Sequence, residues 1–494
     1  VILQNLGGKL NISTLKREWF SNVSADLLSG AVVALALIPE SIAFSIIAGV
    51  DPKVGLYASF IIAVITGIFG GRPALISAAT ASTALIMVNL VKDHGINYLF
   101  AAGILMGILQ IIFGLLKLGK QMKYVPRAVK VGFANALAIL IFMAQLPEFT
   151  NVPIAVYFLA ALTLGIIYLL PLLTRAVPSS LVAIVVTTAI SIFGNIKVPT
   201  VGDKGDLPSA LPSFGLPDVP LNWETLQIIL PYSIALAIVG LLATLLTASL
   251  VDDLTNTQGD KNREAKGLGL ANIVSNLFGG MAGCGMIGQS VINVQSGGRG
   301  RLSTFSAGVL LLIFILLLGN WVKQIPMAAL ASVMIMVSIG TFNWKSIINI
   351  RRIPRTETAA MLTTVLITVL TRNLAVGVVT GIALSTVFFS SKIAQIIFVD
   401  KVLNDDGTHR TYSVAGQIFF VSVDDLLEKF DFQEIVEKVT IDLTNAHLWD
   451  QAAVVAIDQI VLKFRRNGAD VELLGMNQAS ATLVERLSDA KQAN

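Results

Sequence analysis

From residue 24 to about residue 398 the chain is an almost unbroken succession of apolar stretches, joined by short polar or Gly- and Pro-containing breaks. A helix that crosses the hydrocarbon core of a bilayer needs about 20 apolar residues. The pattern therefore predicts an all-α membrane domain over residues 24–398. Composition agrees: 54% of the residues are hydrophobic and 13% charged, and mean hydropathy is +0.77, whereas a soluble domain carries about 25% charged residues. Residues 399–494 have the composition of a soluble domain, and residues 1–23 read as a short cytoplasmic N-terminal segment.

Several function classes are excluded early. Net charge is only +4 and no basic run is present, so a nucleic-acid partner is not expected. The single cysteine, Cys284, reads as packing among Gly and Met, and His94, His409 and His447 are scattered. No metal site and no cofactor are expected from them. There is no P-loop, nucleophile elbow or metal-ligand cluster, which argues against an enzyme or an ATP-driven pump within this chain. The polar opening through Lys16-Arg17-Glu18, followed by a long apolar stretch, reads as a first membrane span rather than a cleavable signal peptide.

Spans are expected near 24–48, 54–69, 97–117, 126–146, 153–174 and 177–196. After a Pro-rich loop over Lys197–Glu224 they resume near 225–251, 264–282, 303–322, 326–349, 357–371 and 373–398. Two further segments are too short or polar to span alone: Ile76–Thr83 running on to Val91, and Gly285–Ile292. Each follows a Gly-rich break, and each is the third segment of its set. Counting them gives fourteen segments in two sets of seven, with repeats over about 24–196 and 225–398. An odd number per set inverts the second relative to the first. With the N-terminus inside, the cluster Lys117, Lys120, Lys123, Arg127, Lys130 and the cluster Arg351, Arg352, Arg355 both fall on the cytoplasmic side. A multi-pass protein of the inner (plasma) membrane with both termini cytoplasmic follows, with Trp19, Trp223, Trp321 and Trp344 as interfacial anchors among membrane lipid.

Interrupted segments at matching positions of inverted repeats point to a transporter's binding site. A helix that begins in mid-membrane leaves N–H groups without intrahelical partners and carries partial positive charge at that end. Two such ends would hold an anion without any basic side chain. The candidate substrate residues are Ala79, Thr80, Ala81 and Ser82 at the first, and Ile287, Gly288, Gln289 and Ser290 at the second. Ser77, Thr80, Ser82, Gln289 and Ser290 could donate, or could simply bond their own surroundings. Glu40, just after Pro39, is the only carboxylate inside the first span. A carboxylate at that depth is costly and points to function: it carries a coupling proton, or it pairs for structure. Asp252 and Asp253 read as a solvated helix end. Asn135, Asn272 and Asn276 read as helix-joining groups, and Arg299 as an anchor below the tenth segment.

The tail has a strand candidate at Val439–Leu443, then Asp450 capping a helix to about Arg466, Asn467-Gly468 as its stop, a strand at Val471–Leu474 and a helix at Ala479–Leu487. This describes a small α/β module.

The stretches Pro39-Glu40-Ser41-Ile42-Ala43-Phe44, Ala48-Gly49-Val50-Asp51-Pro52, Gly55-Leu56-Tyr57, Phe113–Gly119 and Asn293-Val294-Gln295-Ser296-Gly297-Gly298-Arg299 resemble, in this order, the motifs of the sulfate permease (SulP) family of anion transporters. Ile441–Asp450 resembles the family's C-terminal STAS domain. The resemblance covers nearly the whole chain. It implies two inverted repeats of seven segments, divided into a core and a gate subdomain, an anion held between segments three and ten, and a homodimer. It implies secondary active transport of a dicarboxylate, sulfate or bicarbonate, with Na+ or H+ as coupling ion. The sequence departs from the pattern at three places. Ala243, before Leu245-Leu246-Thr247, stands where the family usually has an acid; either Glu40 is then the remaining proton carrier, or Ala243 is a lesion in coupling, the reading slightly favoured by the intact motif around it. Gln289 stands where animal members often have arginine. Gln451 and Ala452 follow Asp450 where related anti-sigma-factor antagonists have a phosphorylated serine. An uncoupled anion channel, a nucleobase permease-like carrier and a membrane enzyme are the competing readings.

Overall fold

The computed structural model describes residues 17–119, 125–173 and 179–492. Lys120 and Lys123, residues 174–178 between the sixth and seventh expected spans, and most of the N-terminal segment lie outside the described residues. The chain divides into two compact units, residues 1–382 and 383–494.

In the first unit the order is α1 (Val23–Ala48), α2 (Pro52–Phe69), β1 (Ser77–Ala79), α3 (Ala81–His94), α4 (Ile96–Leu115), α5 (Arg127–Gln145), α6 (Ile154–Leu173) and α7 (Ser179–Phe193). After the loop, which holds only a 3-10 turn at Val201–Asp203, come α8 (Trp223–Thr255), α9 (Lys261–Leu277), β2 (Gly283–Gly285), α10 (Ile287–Gln295), α11 (Arg301–Val322), α12 (Met327–Thr341), the five-residue α13 (Trp344–Ile348) and α14 (Arg355–Thr371); α15 (Leu374–Ala394) begins in this unit and ends past residue 382. Among the described residues eight helices are long and apolar enough to cross a membrane, and α7 and α12 are shorter apolar helices. Four segments differ from the sequence expectation. The span expected over 326–349 is broken at Phe342-Asn343, where Asn343 caps α13 by accepting from Ser346 N. The two short segments each begin as strand. The last helix ends at Ala394, and residues 397–403 are strand.

The two halves repeat. Setting α13 aside, α1–α7 match α8–α12, α14 and α15 in order, and the packing survives the exchange. α1 packs on α11 as α8 packs on α4; α2 packs on α11 as α9 packs on α4; α5 packs on α14 as α12 packs on α6. One group, α1–α4 with α8–α11, surrounds the β1–β2 pair, and α5, α6, α12 and α14 form a second. These are the expected core and gate groups. Outward positions remain apolar, as at Phe158, Leu172, Leu173, Phe193 and Leu317, which suits contact with lipid rather than water.

Between apolar helices in lipid, association depends on close packing, and small residues let backbones approach. Helices α4 and α9 meet in this way. A Cβ on Gly107 would lie 2.5 Å from the carbonyl oxygen of Gly269, and one on Gly269 would lie 2.5 Å from that of Gly107. Buried charges hold the joints that lead into the short segments. Glu264 accepts from Gly71 N (2.7 Å) and Arg72 N (2.9 Å), fixing the turn before β1. Arg72 pairs with Asp252 at 3.0 Å, so Asp252 is an ion-pair partner for a chain joint and not a solvated helix end. Asp26 accepts from Arg299 N and Gly300 N, fixing the turn after α10. Buried Arg301 pairs with Glu18 at 2.6 Å.

The second unit contains a four-stranded sheet, β3 (Ile397–Leu403), β4 (His409–Ile418), β5 (Lys438–Leu448) and β6 (Asp470–Leu474), in spatial order 3-4-5-6. β3 is antiparallel to β4, and the other pairs are parallel. Helices α16 (Val423–Leu427), α17 (Gln451–Arg466) and α18 (Gln478–Gln492) accompany it. Val439, Ile441 and Leu443 of β5 form one core with Tyr412 of β4 and Ile457, Ile460 and Phe464 of α17. Asp450 caps α17 by accepting from Ala453 N, as expected, and its other oxygen accepts from Phe420 N.

Adding a methyl group to a tight backbone contact costs about 1–3 kcal/mol. Gly107→Ala and Gly269→Ala should each lower the thermal midpoint of the detergent-solubilised protein. Gly319→Ala in α11, where a Cβ would meet nothing within 4 Å, should leave it unchanged or raise it slightly. Equal effects at the three positions would show that the α4–α9 contact is not close.

Candidate functional site

β1 and β2 pair antiparallel, Ser77 with Gly285, Ala78 with Cys284 and Ala79 with Gly283. α3 starts just past one end of this pair and α10 just past the other. Met286 N donates to Ile76 O (2.9 Å), extending the ladder to the residue that caps α10. Thr80 and Met286, the two cap residues, thus flank the same ladder, one at each end. Neither side chain accepts from a backbone N–H of the first turn of its helix. The N–H groups of Ala81–Thr83 and of Ile287–Gln289 have no intrahelical acceptors, and both positive helix ends border the same small ladder.

Surrounding helices hold the ladder in place. Thr244 of α8 accepts from Gly285 N (2.7 Å), and a Cβ on Gly285 would come within 2.9 Å of Thr244 Cα. Ser59 of α2 accepts from Ala79 N (3.2 Å), and Ser290 of α10 accepts from Ile76 N (3.0 Å). Asn272 of α9 accepts from Gly283 N (2.8 Å), while its Nδ2 donates to Gln110 Oε1 and Gly283 O. Asn135 donates to Ser346 and accepts from Asn343 N, and Asn276 Nδ2 donates to Asn272 O. Asn135 and Asn272 therefore join elements, as read from the sequence, whereas Asn276 bonds within its own helix. Arg299 donates to Val294 O and Gly298 O, closing the far end of α10.

The hydroxyl groups named from the sequence are mostly turned toward protein. Thr80 Oγ1 lies 3.1 Å from Ser82 Oγ, 3.0 Å from Thr83 Oγ1 and 3.1 Å from Cys284 Sγ. Cys284 thus belongs to this polar cluster. Ser290 is taken up by the Ile76 backbone. Ser77 Oγ is buried without a hydrogen-bond partner among the described residues. Gln289 Nε2 donates to Glu40 Oε2, joining α10 to α1. Ala79, Thr80, Ala81 and Ser82 are buried; Ile287 is 49% exposed, and a Cβ on Gly288 would meet nothing within 4 Å. Ala243 is buried in α8 immediately before Thr244, and Thr247 Oγ1 donates to its carbonyl oxygen (2.8 Å). The alanine therefore adjoins the residue that holds β2. Thr244 and Ser59 are the ladder's supports that sequence reading did not single out. Short hydroxyls on long apolar helices carry no signal of a partner 20 to 40 residues away.

A membrane bundle of two matching halves, with interrupted segments meeting as paired strands at its centre, is the architecture of a secondary transporter. The comparisons specify which one. The sulfate permease family model matches residues 23–157 and 149–364, and the STAS domain model matches residues 401–490. The chain belongs to the sulfate permease family, a family of transporters and not of enzymes. "Putative sulfate transporter YbaR" of Bacillus subtilis (strain 168) is 55% identical over 97% of this chain and 100% of that protein. The solved transmembrane domain of a cyanobacterium bicarbonate transporter, BicA, is 31% identical with a TM-score of 0.65, covering 73% of this chain and 98% of that one. The overall structure of SLC26A9 matches with a TM-score of 0.82 at 15% identity, covering 98% of this chain and 89% of that one, a likeness of fold alone. Membership with a STAS domain sets aside the nucleobase-permease alternative.

Removing the acceptor of a buried N–H costs about 1–3 kcal/mol. Thr244→Val should therefore destabilise the protein and weaken substrate binding. Thr187→Val, whose hydroxyl bonds only carbonyls of its own helix, should do neither. Denaturation in detergent with and without substrate distinguishes them. Identical behaviour of the two variants would show that Gly285 does not depend on Thr244.

Proposed function

We propose that the protein is a secondary active transporter of a small anion, among dicarboxylate, sulfate and bicarbonate, working by alternating access with the anion held at the N-termini of α3 and α10. The β1–β2 pair carries this reading, because it sets two unsatisfied helix ends on one ladder. The substrate contacts are the backbone N–H groups of Ala81–Thr83 and Ile287–Gln289, with Ala79, Thr80, Ser82 and Ser290 shaping the site. Named functions of relatives support an anion as substrate: YbaR for sulfate and BicA for bicarbonate. The working unit is a homodimer in the plasma membrane, both termini cytoplasmic.

Protons are the coupling ion in this reading. Ala243 offers no ligand to a sodium ion. Glu40 is buried and contacts Gln289, in the first turn of α10. Adding or removing its proton changes the charge beside the anion site and the acceptor offered to Gln289. A negative Glu40 opposes an anion there, and a neutral one does not, which gives symport its sign: proton and anion load together. This reading takes Glu40, rather than an acid at position 243, as the carboxylate in contact with α10.

In proteoliposomes, uptake of the transported anion should rise when the outside is acidified. Glu40→Gln should abolish that response while leaving exchange of anion for anion. Ala243→Glu should not be needed for gradient-driven uptake. A wild-type protein driven by sodium and indifferent to pH, or one improved strongly by Ala243→Glu, would refute proton coupling through Glu40. The binding location has its own test. Gly288→Trp projects into open space and should preserve folding and dimerisation while blocking uptake; normal uptake by that variant excludes α10 from the site.

A further inference from the structure

A cavity of about 710 Å³ lies among the C-terminal turn of α1, the second half of α3, the end of α5 and the start of α12. Its polar lining comprises Arg372, Lys204, Glu148, Asp51, Asn89 and Gln145. No residue of the helix-end site lines it, yet it stops one turn short of that site on two helices. Ala43 lines it on α1, and Glu40 is three residues deeper. Leu85 lines it on α3, and Ser82 is three residues deeper. Residues three apart share a helix face, so the cavity and the site lie along the same faces, one turn of apolar side chain apart.

The lining carries two basic and two acidic side chains, but they are not all paired. Lys204 pairs with Glu148 at 2.7 Å, and Asp51 and Asp206 share Lys53, each at 3.4 Å. Arg372 remains: among the described residues no ion pair or hydrogen bond engages its guanidinium. It also ends α14 at φ 53°, the left-handed conformation that Gly or Asn ordinarily supplies. A long basic side chain therefore stands where the backbone favours a different residue. The amides of Asn89 and Gln145 add donors for an oxyanion.

We propose that this cavity is an anion-capture site leading to the helix-end site, with Arg372 drawing a small inorganic or carboxylate anion into it. The proposal rests on the anion-transport reading. A guanidinium with no carboxylate paired to it raises the concentration of counter-ions in the part of the cleft it faces. An exposed guanidinium holds its guest weakly, which suits a site that must pass it on.

Cys284, the only cysteine, is fully buried, so Asn89→Cys provides a single accessible thiol. Its modification rates by an anionic (sulfonatoethyl) and a cationic (trimethylammonioethyl) methanethiosulfonate are compared on the purified full-length protein. Introducing Arg372→Gln should lower the anionic-to-cationic ratio by about threefold or more. Arg372→Lys should keep the ratio, and about 1 M NaCl should erase the difference. An unchanged ratio in Arg372→Gln, or a loss equal in Arg372→Lys, overturns the proposal. In proteoliposomes Arg372→Gln should raise KM for radiolabelled sulfate or bicarbonate at an unchanged maximal rate; a lowered maximal rate at unchanged KM overturns the capture role. If the parent protein takes up neither anion, the transport reading has failed for those substrates, and the thiol ratio still decides whether Arg372 attracts anions.

Discussion

Everything at the centre of this bundle follows from one constraint: a backbone inside a membrane must find its hydrogen-bond partners within the protein. Breaking two helices exposes peptide groups, and the β1–β2 ladder gives part of them partners. Ser59, Thr244, Asn272 and Ser290 take N–H groups that the ladder leaves over. These four residues come from α2, α8, α9 and α10, so the ladder also ties the core helices together. The N–H groups of the first turns of α3 and α10 fall outside this scheme. They are the groups to which the proposed anion site is assigned, and they stay outside the ladder because a three-residue strand is too short to absorb two helix ends.

The same constraint explains why the buried charges sit where they do. Glu264 and Asp26 each accept two successive backbone N–H groups at a turn next to an interrupted segment. In each case one carboxylate oxygen takes both amides, and its negative charge makes these bonds stronger than those to a neutral acceptor. Arg72 and Arg301 then balance carboxylates and take up carbonyl groups at α8 and α2. Breaking such a pair costs about 3–5 kcal/mol, because the partner charge stays buried alone. The joints are therefore stiff. That stiffness suits a carrier whose core group moves as a body past its gate.

Much of this was legible in the sequence for physical reasons. Apolar length announced the spans. Gly70-Gly71 and Gly279-Gly280 announced the breaks, since close backbone approach needs glycine: a Cβ on Gly71 would lie 2.0 Å from Asp260 O, and one on Gly280 would lie 2.8 Å from Ala58 N. The strand character of Ser77–Ala79 and Gly283–Gly285 was not legible, because three residues carry no periodicity and the partner is about 200 positions away. The pairing of Arg72 with Asp252 was hidden for the same reason, which made Asp252 look like an ordinary helix end. In the tail, β5, α17 and β6 were readable from apolar runs and from Asp450, whereas β3 begins three residues after a membrane helix and shares its apolar composition. The hydroxyls of Thr80, Ser82 and Ser290 were correctly placed near the helix breaks, but residue type alone could not tell a ligand donor from a group holding its own fold.

A site built from helix ends behaves differently from one built on a basic side chain. Each end contributes about half an elementary charge, spread over several N–H groups, and that charge cannot be withdrawn by titration or by a rotamer change. Affinity must then be varied by something else nearby. Gln289 is held by Glu40, so the one side chain that could have supplied a fixed donor on α10 answers instead to the protonation of a carboxylate on α1. In the proposed mechanism the constant part of the attraction resides in the backbone, and the variable part in the proton on Glu40. A carrier that must both load and release its anion needs this division, because a permanent cation at the same place would favour loading at both membrane faces alike.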